Sequence, residues 1–329
     1  MRLRIFFRFI IETTLKSLFG IDATKYRVSS EMGLLGVLSA YFGVVEAQGR
    51  GCLHVHMLLW LKNAPNADEM VRLLREEGFR NQIKEYIQNT IRTHLDGFNE
   101  QYVQSHPRET GVTYSRPPNT SAPDWDDKTI TMERKLARAY QVHVCKQSTC
   151  LRTNNKGETI CKRGAPWPLH DETVVHPNGA VDLKRSYEYL NGYSPGVLVN
   201  DRCNNDLKVI TNGEETRGAG WYLTKYQLKG PNKTYNVSGM LASALLYHQQ
   251  HFPMANSLRE QNRLLIYRCF NVLNRQTELS GPQVISYLMG WGDSFQSHHY
   301  VPVYWSQLAT AIKRRYPYLT INSEEIRER

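Results

Sequence analysis

The chain has 329 residues, 41% of them hydrophobic and 22% charged, a balance that excludes wholesale disorder and leaves enough length to bury a real core. Its formal net charge is +10, from 41 Lys and Arg against 31 Asp and Glu, which favours a polyanionic partner. Six cysteines, with Cys145, Cys150 and Cys161 crowded into one short stretch, exclude a dense disulfide scaffold and point to metal binding.

The N-terminal stretch MRLRIFFRFIIETTLKSLFG starts basic and turns apolar. Arg8 and Glu12 interrupt it, no small-residue cleavage pattern follows, and no apolar run reaches the roughly 20 residues of a membrane span. It reads as an amphipathic helix docked on the domain, with no membrane partner. Its abrupt start in mid-pattern suggests a piece of a longer protein. Glu31 to Tyr41 fits either a helix or the lead-in to a strand. Tyr41–Ala47 (YFGVVEA) and Cys52–Leu61 are apolar β-type segments, and the Gly-containing QGRG at Gln48–Gly51 joins them as an antiparallel hairpin.

Within that hairpin, GRGCLHVHMLLWL places two histidines one residue apart. Strand period puts His54 and His56 on one side and Leu53, Val55 and Met57 on the other. Such a pair can clamp a cation through neutral imidazole nitrogens, or can sit at a core edge and hydrogen-bond to neighbours.

Asn66 to Thr93 carries helical patterning broken near Gly78, and the polar, Pro-rich stretch from Ser105 to Asp127 reads as a surface loop. Met132–Ala139 reads as helix. His143, Cys145, Cys150 and Cys161 then form H-x-C-x4-C-x10-C, four ligands able to surround one structural Zn²⁺. The basic Arg152–Gly157 and Lys162–Gly164 flank them. Tyr187–Pro195 and Val197–Val209 read as short strands and turns. Thr216 to Leu228 has helical tendency, with Gly230 placed to end it. The remainder reads as mostly helical.

No H-x-E accompanies the cysteines, which argues against a zinc deaminase, and no Walker A, G-x-S-x-G or Rossmann glycine pattern occurs in this sequence. In GAGWYLTKYQLKG, Tyr222 and Tyr226 stand i,i+4 apart beside Lys225 and Lys229, so a helix would present both on one face. An aromatic stripe at this spacing ordinarily packs on a sheet. A tyrosine hydroxyl can also attack a phosphodiester, if a cation held by two histidines polarises the phosphate.

The combination of EAQGRGCLHVHMLLWL, the H-x-C-x4-C segment, WYLTKYQLKG and ISYLMGWGDSFQSHHYVPVYW resembles the replication-initiator region of Helitron transposases, over roughly residues 15 to 315. The resemblance implies an α+β fold of the HUH endonuclease type, a central antiparallel sheet with the histidine strand in its middle, flanking helices and a small zinc-stabilised insert. It implies His54 and His56 as ligands for Mg²⁺ or Mn²⁺, and Tyr222 and Tyr226 as nucleophiles forming 5′-phosphotyrosine links in single-stranded DNA. Gln48 or Glu46, which share the side parity of the histidines, would supply a third ligand, with Asp206 a further possibility. Arg50, Trp221, Lys225 and Lys229 are the candidate nucleic-acid contacts. A nuclear location in a eukaryotic host follows from the same resemblance, as does a superfamily-1 helicase partner whose motifs are absent from this chain.

Three regions are expected: 1–130 with the N-terminal helix, hairpin and helical stretch; 131–180 as the cysteine-rich insert; and 181–329 with the paired tyrosines and a helical extension. Two other functions fit the same residues: a catalytically inactive, zinc-stabilised single-strand-binding module, or an unrelated metal-dependent hydrolase in which the tyrosines merely pack.

Overall fold

A single apolar stripe starts the architecture. In α1 (Arg2–Phe19), Phe7, Ile11, Leu15 and Phe19 recur every fourth residue and so line one side of the helix. The computed structural model describes residues 2–48, 52–211, 236–251, 257–275, 280–299, 301 and 304–316. After α1, the two-residue strands β1 (Ile21–Asp22) and β2 (Arg27–Val28) turn the chain, and Glu31 onward leads extended into β3. The strands β3 (Leu38–Gln48) and β4 (Cys52–Leu61) then form the expected antiparallel hairpin.

Register decides which residues share a face. Glu46 stands opposite His54, Val44 opposite His56 and Val45 opposite Val55, and directly opposed residues point the same way. Tyr41, Val45, Leu53, Val55, Met57 and Leu59 therefore pack on the α1 stripe, while the histidines emerge on the far side. A bulge between Leu38 and Ala40 shifts the parity, so Leu38 pairs with Leu61 and joins the apolar face. At Gly43 a Cβ would come 3.0 Å from the Met57 side chain, so glycine lets that side chain lie close across the strand.

A second core assembles from helices. These are α2 (Ala67–Leu73), α3 (Glu77–Thr90), α4 (Glu100–Ser105), α5 (Trp125–Leu136) and α6 (Pro195–Asp201). The break between α2 and α3 falls just before Gly78, and Asn66 caps α2 by accepting from Glu69 N. Phe98, Leu136, Leu190, Tyr193 and Leu198 are fully buried around the carboxylate of Glu133. That carboxylate accepts from Tyr193 Oη at 2.8 Å and from Arg92 Nη1 at 2.5 Å. Nothing in the sequence pattern announces this buried polar centre, because its three members lie far apart in the chain.

Two small hairpins follow, β5 (Leu151–Thr153) with β6 (Thr159–Cys161) and β7 (Val174–Val175) with β8 (Val181–Asp182). The helices α7 (Val237–His251), α8 (Leu258–Arg275), α9 (Gly281–Leu288) and α10 (Trp305–Arg315) make up most of the rest, interrupted by β9 (Ser294–Gln296). Strand β9 pairs with β3, setting Phe295 opposite Gly43 and into the apolar face.

The result is a mixed α/β fold with several small antiparallel sheets. Two expectations are corrected. The Val197–Val209 region is not all strand and turn, because Ser194-Pro195 starts α6: proline suits the first helical position, where no N–H partner is needed. Among the described residues the largest sheet has the order β4-β3-β9, so the histidine strand lies at its edge and β3 is central. The expected helix from Thr216 to Leu228, with its stop at Gly230, lies outside the described residues. No described helix is long and apolar enough to cross a membrane.

Leu15 is 2% exposed at the centre of the α1 stripe. Leu15→Ala is expected to cost about 2–5 kcal/mol in chemical denaturation, because the stripe and sheet cannot both collapse into the space. A second test concerns the tie between α1 and α6, where Thr14 Oγ1 donates to Asp201 Oδ1 at 2.7 Å. Burial raises the Asp201 carboxyl above 3.8, with the Thr14 bond opposing. The folded state then holds a proton where the unfolded state has lost it, so charged Asp201 destabilises the fold at neutral pH and ceases to as pH falls through its folded pKa. Asp201→Asn keeps the acceptor for Thr14. It should raise the urea midpoint at pH 7, and the gain should vanish below about pH 3.8.

Candidate metal centres

On the outward face of the hairpin the His54 and His56 rings stand 4.6 Å apart, inclined at 69°. His56 Nε2 lies 3.4 Å from Glu46 Oε2, both side chains largely covered. Desolvation lowers the His54 pKa, the neighbouring His56 and the Arg163 charge push the same way, and Glu46 opposes them. His54 is thereby kept as a neutral imidazole near pH 7, the form that ligates a cation. Two imidazoles and a carboxylate on one sheet face are a fitting donor set for a divalent ion.

The structure thus joins Glu46 to the histidines. Asp206, the other carboxylate considered, is raised by desolvation against the pull of Lys208 and Arg163, and it is not among the charges acting on His54. Gln48 pairs with Cys52 in the ladder, one step along β3 from the Glu46–His54 pair on the same parity. Arg50, Trp221, Tyr222, Lys225, Tyr226 and Lys229 lie outside the described residues.

The second cluster forms around the β5–β6 hairpin. The turn from Asn154 to Glu158 is built by the Asn154 side chain, which accepts from Lys156 N and Glu158 N at 2.9 Å each, with Gly157 at φ 82. Register then sets Cys161 opposite Leu151, next to Cys150. His143 is fixed from the other side, since its N–H donates to Tyr189 O at 2.8 Å. The ligand atoms of His143, Cys145, Cys150 and Cys161 all lie within 4.8 Å of one another. Sulfurs bound tetrahedrally at about 2.3 Å from Zn²⁺ would stand ~3.8 Å apart, so a small contraction converts this arrangement into a metal site.

Burial and the neighbouring Cys161 and Cys150 sulfurs push the Cys145 thiol up to about 11, so a metal would have to displace that proton, while the other two sulfurs are met by N–H donors. Lys146 N–H donates to Cys150 Sγ at 3.1 Å and Arg163 N–H to Cys161 Sγ at 3.4 Å. Desolvation would raise the Cys161 thiol, but the N–H groups of Arg163 and Ala165 and the thiols of Cys145 and Cys150 outweigh it and favour the thiolate. His143 is held neutral by desolvation and by Arg163. These four residues could hold a metal such as zinc.

The Arg163 charge is the smallest of the influences on His54 and secondary to desolvation at His143, favouring the neutral imidazole at both.

Residues 3–59 match the family model described as "Helitron helicase-like domain at N-terminus". The match covers α1 through most of β4, including both histidines and Glu46, and well under half of the chain. No curated protein and no solved structure matches the chain.

Elemental analysis of purified protein is expected to find about one Zn²⁺ per chain. A Cys150→Ser, Cys161→Ser double variant should lose it, and with it the slow amide exchange of β5 and β6, because the hairpin has little apolar core to replace the clamp. Zinc retained in full by the double variant would place the metal elsewhere.

Proposed function

We propose that the protein nicks and rejoins single-stranded DNA as a rolling-circle transposition initiator, in an HUH-type reaction. The observation that carries this reading is the convergence of His54, His56 and Glu46 on the one face of the hairpin that α1 does not cover. The similarity of residues 3–59 to the Helitron-type N-terminal domain supports it, as does the net charge of +10.

In this reading His54, His56 and Glu46 hold Mg²⁺ or Mn²⁺, with Gln48 as a further donor from the same strand. The bound cation would supply charge neutralisation for a phosphate oxygen. The phenolic oxygen of Tyr222 or Tyr226 attacks phosphorus, a phosphotyrosine ester forms at the new 5′ end, and the P–O3′ bond breaks. The proton given up by the tyrosine is matched by the one taken up at the 3′-hydroxyl. Because one phosphoester replaces another, the step is reversible, and the second tyrosine permits a second transfer. Lys225, Lys229, Arg50 and Trp221 would hold phosphates and bases nearby. Unwinding would come from a superfamily-1 helicase, in the nucleus of a eukaryotic host.

Incubation with Mn²⁺ and a labelled single-stranded oligonucleotide should give a denaturation-resistant adduct. His54→Ala, His56→Ala together should lower it by more than about 100-fold, beyond the 10–100-fold typical of losing a group that only orients a ligand. Tyr222→Phe, Tyr226→Phe together should abolish it. Cleavage without adduct would favour a hydrolase, and binding without cleavage a single-strand-binding module.

A further inference from the structure

The antiparallel pair α7 and α8 encloses a cleft of about 790 Å³ that neither candidate metal centre uses. Its α7 wall carries Gly239, Ser243 and Ala244, small residues at helical spacing whose short side chains leave the cleft open. Besides Ser243 its polar lining is Asn236, Tyr247, Arg268, Asn271 and Arg275, and Met240 and Val272 add apolar surface. No carboxylate lines it among the described residues. The surrounding charge has one sign as well: α8 carries Arg259, Arg263, Arg268 and Arg275 against Glu260 alone, and α7 has no acidic residue.

We infer that this cleft is a track for single-stranded nucleic acid, with Arg268 and Arg275 as its phosphate contacts. The two arginines are seven residues apart, two turns of α8, which separates them by about 10 Å along one wall. Arg268 is oriented by α7, its guanidinium 5.0 Å from the Tyr247 ring centroid and Nη1 3.5 Å from His248 Nδ1. Arg275 is exposed at the far end of the helix. Between them Asn271 presents an amide, which donates and accepts and so tolerates any base edge, while Asn236 caps α7, its Oδ1 accepting from Gly239 N at 3.1 Å.

The cleft is a short groove in the surface of one helix pair, which a flexible single strand can follow and a duplex, stiff over about 150 base pairs, cannot bend into. The inference rests on the strand-transfer reading for its biological sense but not for its test.

The test is fluorescence anisotropy with a fluorescein-labelled oligothymidine of about 20 nucleotides, titrated over a range of salt without added divalent cation. Arg268→Gln, Arg275→Gln together should weaken binding and flatten the slope of log K against log salt by about 1.4, at roughly 0.7 per lost phosphate contact on a single strand. Arg268→Lys, Arg275→Lys should keep the slope. Arg259→Gln, Arg263→Gln, which removes equal charge from α8 outside this cleft, should leave it within error of the original. If the first variant loses helical circular dichroism, Arg275→Gln alone is read, with a slope change of about 0.7 expected. An unchanged slope, or an equal loss in the Arg259 and Arg263 variant, overturns the inference. So does a change of oligomeric state with binding intact, which would make the cleft an interface between copies. Absence of the covalent adduct with Mn²⁺ would count against the strand-transfer reading and leave this slope untouched.

Discussion

A two-stranded ribbon has two faces and α1 can cover only one. The apolar face of β3 and β4, built from Tyr41, Val45, Leu53, Val55, Met57 and Leu59, takes the helix because burying such side chains is worth about 1.5–3 kcal/mol each. Alternation then leaves His54, His56 and Glu46 no choice but the other side. The candidate cation site is in this sense a by-product of the hydrophobic contact. A shift of one residue in the pairing would send the histidines under α1 and the leucines into solvent. The bulge after Leu38 and the glycine at position 43 protect that register, the first by restoring parity at the strand's start and the second by admitting Met57.

The cysteine cluster solves a different problem. Its hairpin holds three residue pairs and its buried set is little more than Cys150, Cys161 and Ala165, too little to order a chain in water. Backbone N–H groups aimed at the sulfurs and a neutral His143 prepare the four ligands for a metal.

The helical core has its own polar keystone. Glu133 is 4% exposed and would be costly to bury as an unpaired charge, yet Arg92 and Tyr193 satisfy it from two other parts of the chain. Removing either partner would leave a buried carboxylate short of a donor. The three chain segments they belong to are thereby held in one arrangement.

The sequence by itself determined everything that depends on near neighbours. The i,i+4 stripe of α1, the period-2 split of the hairpin, the break before Gly78 and the close grouping of His143, Cys145, Cys150 and Cys161 are all properties of short stretches, legible because backbone geometry fixes where residues a few positions apart must point. Local pattern failed at α6, where Pro195 started a helix inside a stretch rich in turn residues, and it left Gln48 and Glu46 unseparated as the third ligand. Only the tertiary structure placed the Arg92–Glu133–Tyr193 centre and, among the described residues, the edge position of β4. Each depends on a contact between segments separated by tens of residues, and that placement is set by how the apolar faces pack together, a sum over the whole chain that no window of sequence contains.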